Sequence, residues 1–485
     1  MTFGVAAVLA LALLQAVPMT ASAAAPASLE ELGHDDLGAR GLNSALALAD
    51  RCAYVGSRGQ GAIEIADVSD PAHPRTAGSL AGRPLTTARE LRAIPARKLL
   101  IALSFSLGRG GVNRIDLYRW TDDCTRPSPA GGYDFGGRSP HEFFLWQDPG
   151  GARTLLFVAM FSGAQGDLQV LDVTDPAAPR LAGTWSPPIG LLHSISLSAD
   201  GRRAYLSLWT GGLLVADASQ FTTGQANPQL TLLTPVGARL PAPAGGNVHS
   251  AVQVPGKELV VVTDERYPPA CPYGPARLVD VSDPAQPRVV VGLSAPENDP
   301  AACRASPAGA YTSHNPTPVA GLALVSWYSS GLQVFDISDP AQPQRLAEFR
   351  PQSSEPGQRD PQLGATLALT WSYPIIRDGL IYVADINEGL SVLRYHGPHE
   401  AELGLVTFAE GNSNLTVLRP AAPSPTAAPA AAASPSPRPA PSHAPAGTAR
   451  PTGVPVSPLV AAGAGLVVLL AIGIAAIVAR RRPRP

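Results

Sequence analysis

Apolar positions along this chain fall into short β-branched runs separated by Pro-, Gly- and Asp-rich turns, and one phrase returns four times. Residues 63–75 read IEIADVSDPAHPR, 168–180 LQVLDVTDPAAPR, 277–288 RLVDVSDPAQPR and 332–343 LQVFDISDPAQP. Each copy predicts a strand, then a turn in which Asp accepts backbone hydrogen bonds and Pro fixes φ, then a second short strand such as RLAGTW at 180–185. Two more strands precede the phrase, as at 194–197 and 204–208 before the degenerate copy LLVADA at 213–218. Four antiparallel strands repeated along a chain define a propeller blade.

The phrase resembles that of the bacterial LVIVD-repeat proteins, predicted surface β-propellers, and the resemblance extends over about residues 29–408. It implies the fold and an extracytoplasmic setting, and no particular chemistry. Inner strands are expected near Asn43, Arg89, His141, His193, His249, His314 and Trp371. The expected architecture is therefore an all-β, seven-bladed β-propeller over residues 26–410. The seventh blade lacks the turn phrase, so its fourth strand has to come from residues 29–37, joining both chain ends, or from 402–408. Closure removes edges open to other chains.

Propeller topology also sorts the four cysteines. Cys52 and Cys124 fall in loops beneath neighbouring blades, and Cys271 and Cys303 in loops on top. Of the three connectivities, only Cys52–Cys124 with Cys271–Cys303 keeps both partners on one face.

The ends of the chain read differently. Residues 1–25 carry an apolar run, Val5 to Val17, broken only by Gln15 and followed by Ala21, Ser22 and Ala23, a pattern expected of a signal peptide. Residues 411–458 are rich in Pro, Ala and Ser and predict a disordered, extended stalk. Residues 459–479 are uncharged and mostly apolar, enough for one transmembrane helix, and an Arg-rich cytoplasmic tail follows at 480–485. The expected product is a single-pass protein of the cell membrane with its N-terminal domain outside.

Composition narrows the partners. Of 485 residues 47 are Gly and 51 Pro, which argues against long helices, while 45% apolar residues are enough for a core. The chain holds 36 basic and 38 acidic residues; seven arginines follow the last acid, Glu410, leaving the rest with 29 basic against 38 acidic, or −9. A nucleic-acid partner is therefore not expected.

Candidate chemistry concentrates at the start of the inner strands. Asn43, Arg89, His141, His193, His249, His314 and Trp371 occupy one equivalent position at the mouth of the central channel, and four of the nine histidines of the chain lie in this column. The next column reads Ser44, Glu90, Glu142, Ser194, Ser250, Asn315 and Ser372. Strict alternation would turn one column to the channel and the other to the adjoining blade. His141, His193, His249 and His314 are candidate metal ligands, because neutral imidazoles on an axis suit zinc, copper or nickel; locking of neighbouring blades is the competing role. The ends of the second strands add Phe105, Phe161, Trp209, Asp264, Glu265, Trp327, Tyr328 and Asp385, aromatic and acidic groups suited to a sugar or an extended peptide.

Other motifs point to no chemistry. The DxSDP turns lack the DxDxDG pattern of a calcium loop, and neither a GxSxG elbow nor an HExxH zinc motif is present. Asn414 opens a glycosylation sequon by pattern. The leading expectation is a membrane-anchored binding or scaffolding module whose top face takes an extracellular protein, peptide or carbohydrate. The alternative is an extracytoplasmic hydrolase, lyase or oxidoreductase using the histidine column. No organic cofactor is expected, and a transition metal is the cofactor the column would admit.

Overall fold

The computed structural model describes residues 26–420 apart from 162–166, 245, 307–308, 355, 362 and 364–367. Seven antiparallel sheets follow one another along the chain. Blades 1 to 6 each use four consecutive strands, within residues 43–80, 90–134, 139–185, 194–232, 247–293 and 316–349. Blade 7 is built from Ile375–Arg377, Leu380–Asp385 and Gly389–His396, and its outermost strand is the N-terminal Ser28–Asp35. The ring thus closes by joining the two ends, the first of the two expected routes.

The recurring phrase is a structural device whose Asp-to-amide hydrogen bonds recur in each copy. In blade 3, Asp172 accepts a hydrogen bond from the Thr174 amide at 3.0 Å, Asp175 accepts one from the Ala177 amide at 3.0 Å, and Arg180 returns to Asp172 at 2.7 Å. Blades 1 and 5 repeat this through Asp67 and Arg75 and through Asp280 and Arg288. In blade 6, where Gln344 stands in place of the arginine, His399 approaches Asp336 at 3.4 Å. Each turn places two carboxylates where short side chains satisfy amides that no strand partner can reach. The fourth strand then carries a one-residue bulge in blades 1, 2, 3, 5 and 6, which bends the edge away from pairing with another chain.

The two disulfides are those expected. Cys52–Cys124 joins blades 1 and 2 with Cα atoms 6.0 Å apart, and Cys271–Cys303 joins the two long top loops at 5.9 Å.

Residues after blade 7 depart from expectation. Val406–Ala409 pairs with Ile375–Arg377, the innermost strand of blade 7, so it lies inside the ring and not at its rim. Residues 402–408 therefore supply no blade strand. The chain turns and comes back as Val417–Leu418, paired with Val406–Ala409, so a hairpin enters the channel from beneath. At its tip the Asn412 carbonyl accepts from the Leu145 amide of blade 3 at 3.0 Å and from Arg92 of blade 2 at 3.4 Å. Gly411 passes so close to blade 6 that a Cβ there would stand 2.0 Å from the Pro316 carbonyl. Asn414 spends its side chain on both backbone groups of Gln147, at 2.8 Å each. The propeller packing consequently continues past the boundary expected after residue 410, to 418. The expected signal peptide at 1–25, transmembrane helix at 459–479 and cytoplasmic tail at 480–485 lie outside the described residues, as does the expected stalk from 421 onward. Among the described residues no helix is long and apolar enough to cross a membrane.

Candidate functional site at the channel mouth

The column residues meet at the top of the channel, and each of those in blades 2 to 6 is faced by a side chain from the end of its own second strand. Arg89 has its guanidinium carbon 5.6 Å from the Phe105 ring centre and 5.4 Å from that of Trp371. His141 stacks on Phe161 with centroids 3.9 Å apart, and His193 on Trp209 at 4.8 Å. His249 faces Glu265, with Nε2 and Oε2 3.9 Å apart, and His314 meets the edge of Tyr328 at 4.9 Å. Trp209 and Tyr328 adopt φ of 52° and 41° at the ends of their strands. Each sits in the tight turn that follows its strand, where the Gly212 amide donates to the Trp209 carbonyl and the Gly331 amide to the Tyr328 carbonyl, so the turn imposes the conformation.

The four histidines form a continuous arc. His141 Nε2 lies 2.9 Å from His193 Nε2, His193 and His249 have ring centres 4.2 Å apart, and His249 and His314 4.0 Å. Their free nitrogens are tied to neighbouring blades or to the adjacent residue. His193 Nδ1 donates to the His249 carbonyl at 3.2 Å, His314 Nδ1 to the Trp371 carbonyl at 3.0 Å, and His249 Nδ1 lies 2.8 Å from Ser250 Oγ. The two roles weighed for the column, convergence and blade locking, are therefore filled by the same rings.

Strict alternation fails where it matters. In blade 3 Pro140 pairs with Met160 and Glu142 with Ala159, which leaves His141 as the extra residue of a bulge; His249 is the extra residue in blade 5. A bulge turns two successive side chains towards the same region. Glu142 accordingly also faces inward, where Tyr373 donates to it at 3.3 Å and contacts Ser250 Oγ at 3.1 Å. Other members of the second column do lock blades: Ser44 donates to Ala88, Ser194 to His249 and Asn315 to Trp371.

Alternation does hold at the second-strand ends, and it separates neighbours that the sequence offers together. Glu265 and Tyr328 face the mouth, joined by a 2.6 Å hydrogen bond from the tyrosine. Asp264 faces the other way and pairs with Arg277 through two 2.7 Å contacts, and Trp327 is fully buried and donates to the Tyr311 carbonyl. Asp264 and Trp327 are thus framework residues and not part of the site. Asn43 is also committed, accepting from Arg40 at 2.8 Å and donating to the Asp385 carbonyl across the closing blade.

Electrostatics follow from this burial. Burial, the neighbouring imidazoles and Arg89 hold His141 and His249 well below the ordinary histidine value, and burial does the same to His314; His193 is pushed down to about 3 by burial and then by Arg89. All four are neutral imidazoles at physiological pH. Burial drives Glu265 up to about 6 against the hydrogen bond from Tyr328, and Glu142 is raised by burial and by Glu90 beside it. Deeper in the channel, Arg92 pairs with Glu90 at 3.3 Å, both buried.

Among the described residues the mouth is covered unevenly. Loops 264–276 and 294–312 are cross-braced by Cys271–Cys303 and by the bond from Tyr273 to the Gly309 carbonyl, and Leu363 packs with Tyr328 and Trp371 over blades 6 and 7. On the side of blades 2 to 4, Arg89, Phe105, Phe161 and Trp209 retain partial exposure. Arg89 has no ion-pair partner among the described residues, and its Nε is buried without a hydrogen bond.

Seven sheets around a plugged channel define the protein as a seven-bladed β-propeller. The chain carries LVIVD repeats: residues 44–81, spanning blade 1, and 156–186, spanning most of blade 3, match that repeat family. No curated protein matches the chain in sequence. Among solved structures it is similar to Raptor of Chaetomium thermophilum, with a TM-score of 0.50 and 13% identity, over 76% of this chain and 29% of that one. At that identity the likeness concerns the fold alone.

Proposed function

We propose that the protein is a binding module, tethered to the outer face of a membrane, whose top face takes an acidic peptide or carbohydrate. The observation that carries this reading is Arg89, a guanidinium with no carboxylate oxygen in direct ion-pair contact among the described residues, set at the mouth with the partly exposed rings of Phe105, Phe161 and Trp209. Aromatic faces offer a platform for a sugar ring or a peptide side chain, and an arginine outside any direct ion pair supplies the matching charge for a carboxylate or sulfate. An extracytoplasmic setting is supported by the pairing of all four cysteines, and tethering by the apolar segment at 459–479. Binding of the full-length chain to arrays of acidic glycans and peptides tests the reading. Specific binding that is lost in both Arg89→Gln and Trp209→Ala supports it, and absence of binding, or binding indifferent to both changes, removes it.

A second reading, an extracytoplasmic enzyme, is favoured by one observation: neutral imidazole nitrogens 2.9 Å apart beside Glu142 and Glu265. Turnover of ester, glycoside or redox substrates that disappears in His141→Gln would establish it over the binding module.

A further inference from the structure

The geometry points to a transition-metal site inside the channel mouth, with one divalent ion of the zinc, copper, nickel or iron group held by His193 between His141 and His249 and flanked by the carboxylates of Glu142 and Glu265. It gives the histidine column of the enzyme reading its cofactor, yet it stands whether or not any turnover is found, and it does not depend on a partner at the top face.

Two groups of ligand atoms support it, and His193 belongs to both. In His141, Glu142 and His193, and again in His193, His249 and Glu265, one ligand atom per residue lies within 4.8 Å of the others, and all five side chains are buried. Two ligands on one ion, each at about 2.0–2.1 Å, stand at most about 4.2 Å apart. Movements of under about 1 Å therefore close either group on an ion. The 2.9 Å between the nitrogens of His141 and His193 is already the separation of two ligands that subtend about 90° at a common metal. The 3.9 Å from His249 Nε2 to Glu265 Oε2 is too long for a hydrogen bond and fits two ligands of one ion.

Orientation of the rings adds a separate argument. A metal-bound imidazole typically donates its other N–H to a carbonyl or similar acceptor, which fixes the tautomer and leaves a lone pair for the ion. His193 makes this bond to the His249 carbonyl, and His249 turns its Nδ1 to Ser250. Bulges at His141 and His249 re-aim these residues inward. Donor chemistry selects the ion: imidazole and carboxylate without thiolate suit zinc, copper, nickel and iron, and not calcium or magnesium, which prefer all-oxygen sites.

The test uses the full-length chain, stripped with a chelator and titrated with Zn²⁺ and with Co²⁺ as an absorbing probe. One ion per chain is expected, with Co²⁺ d–d bands and, for Cu²⁺, nitrogen hyperfine structure in the EPR spectrum. His193→Gln should weaken binding by more than about 100-fold, since even the outer-shell partners of metal ligands are worth about 10–100-fold. His73→Gln, in an exposed turn, should leave it unchanged. Should His193→Gln fail to fold, Glu265→Gln and the wild-type Cu²⁺ spectrum carry the decision. Absence of a stoichiometric ion in the wild type, equal affinity in the variants, or a Cu²⁺ spectrum without nitrogen coupling overturns the proposal.

Discussion

His193 Nε2 lies 2.9 Å from His141 Nε2, although the two residues are 52 positions apart and belong to adjacent blades. His193 also holds the His249 carbonyl of the next blade. One imidazole thus bridges three consecutive blades, and removing it disturbs packing as well as chemistry.

His193→Ala and His314→Ala should each destabilise the metal-free protein by about 1–3 kcal/mol, because each removes one of two side-chain hydrogen bonds to a buried carbonyl and leaves a void. Urea unfolding of the chelator-treated chain measures this. A loss within about 0.5 kcal/mol, as for a free surface residue, would show that the rings do not lock the blades.

The four channel-mouth histidines of the metal-free protein should each withdraw stability as pH drops below about 6.5, the ordinary histidine value. His193 titrates near 3 in the folded state, and His141, His249 and His314 are also lowered. Between the folded and unfolded values the unfolded chain binds the extra protons, so stability rises with pH there, by about 1.4 kcal/mol per unit for each histidine. Glu265, Asp264 and Asp385, raised to about 6, and Glu142, raised to about 8, work in the opposite direction between their unfolded and folded values and offset much of the histidine effect on global stability, so the histidines are read from their own signals. Asp67, lowered to about 2, adds a further loss in more acid solution. Imidazole NMR signals of His141, His193, His249 and His314 that titrate near pH 6.5 in the folded protein would rule out neutral buried histidines.

Removing the two disulfides should have different consequences. Cys52 and Cys124 are buried in the cluster shared by blades 1 and 2, and Ser at both positions should lower global stability by about 2–4 kcal/mol. Ser at Cys271 and Cys303 should instead speed hydrogen exchange within 264–276 and 294–312, with a smaller effect on the inner strands, since that bond braces loops. Exchange mapping of both double variants decides between a local and a global effect.

Gly411→Val should destabilise the propeller by about 1–3 kcal/mol or more, because the new side chain meets the Pro316 carbonyl and the Tyr373 ring at the tip of the hairpin. If the variant retains wild-type stability in denaturant, the hairpin does not occupy the channel.

The parts of this molecule that repeat were readable from the chain alone. The Asp-x-Ser-Asp-Pro turns, the seven inner strands and the disulfide pairing all rest on local chemistry and repeat order, in which one turn looks like the next whatever surrounds it. The histidine column was visible for the same reason, as equivalent positions in successive blades. What the tertiary structure decided lay where the repeat is broken or where distant segments meet. Bulges at His141 and His249 carry Glu142 into the channel, and no periodic rule signals an extra residue in a strand. Asp264 and Trp327 left the site because alternation sends one of each adjacent pair away from the mouth, and only the register with neighbouring strands tells which. The hairpin at 406–418 occurs once, and its insertion depends on a channel wide enough to receive it and on polar groups of blades 2, 3 and 6 placed around its tip. Such a fit is a property of the closed ring, so it has no counterpart in any stretch of sequence short enough to read by pattern.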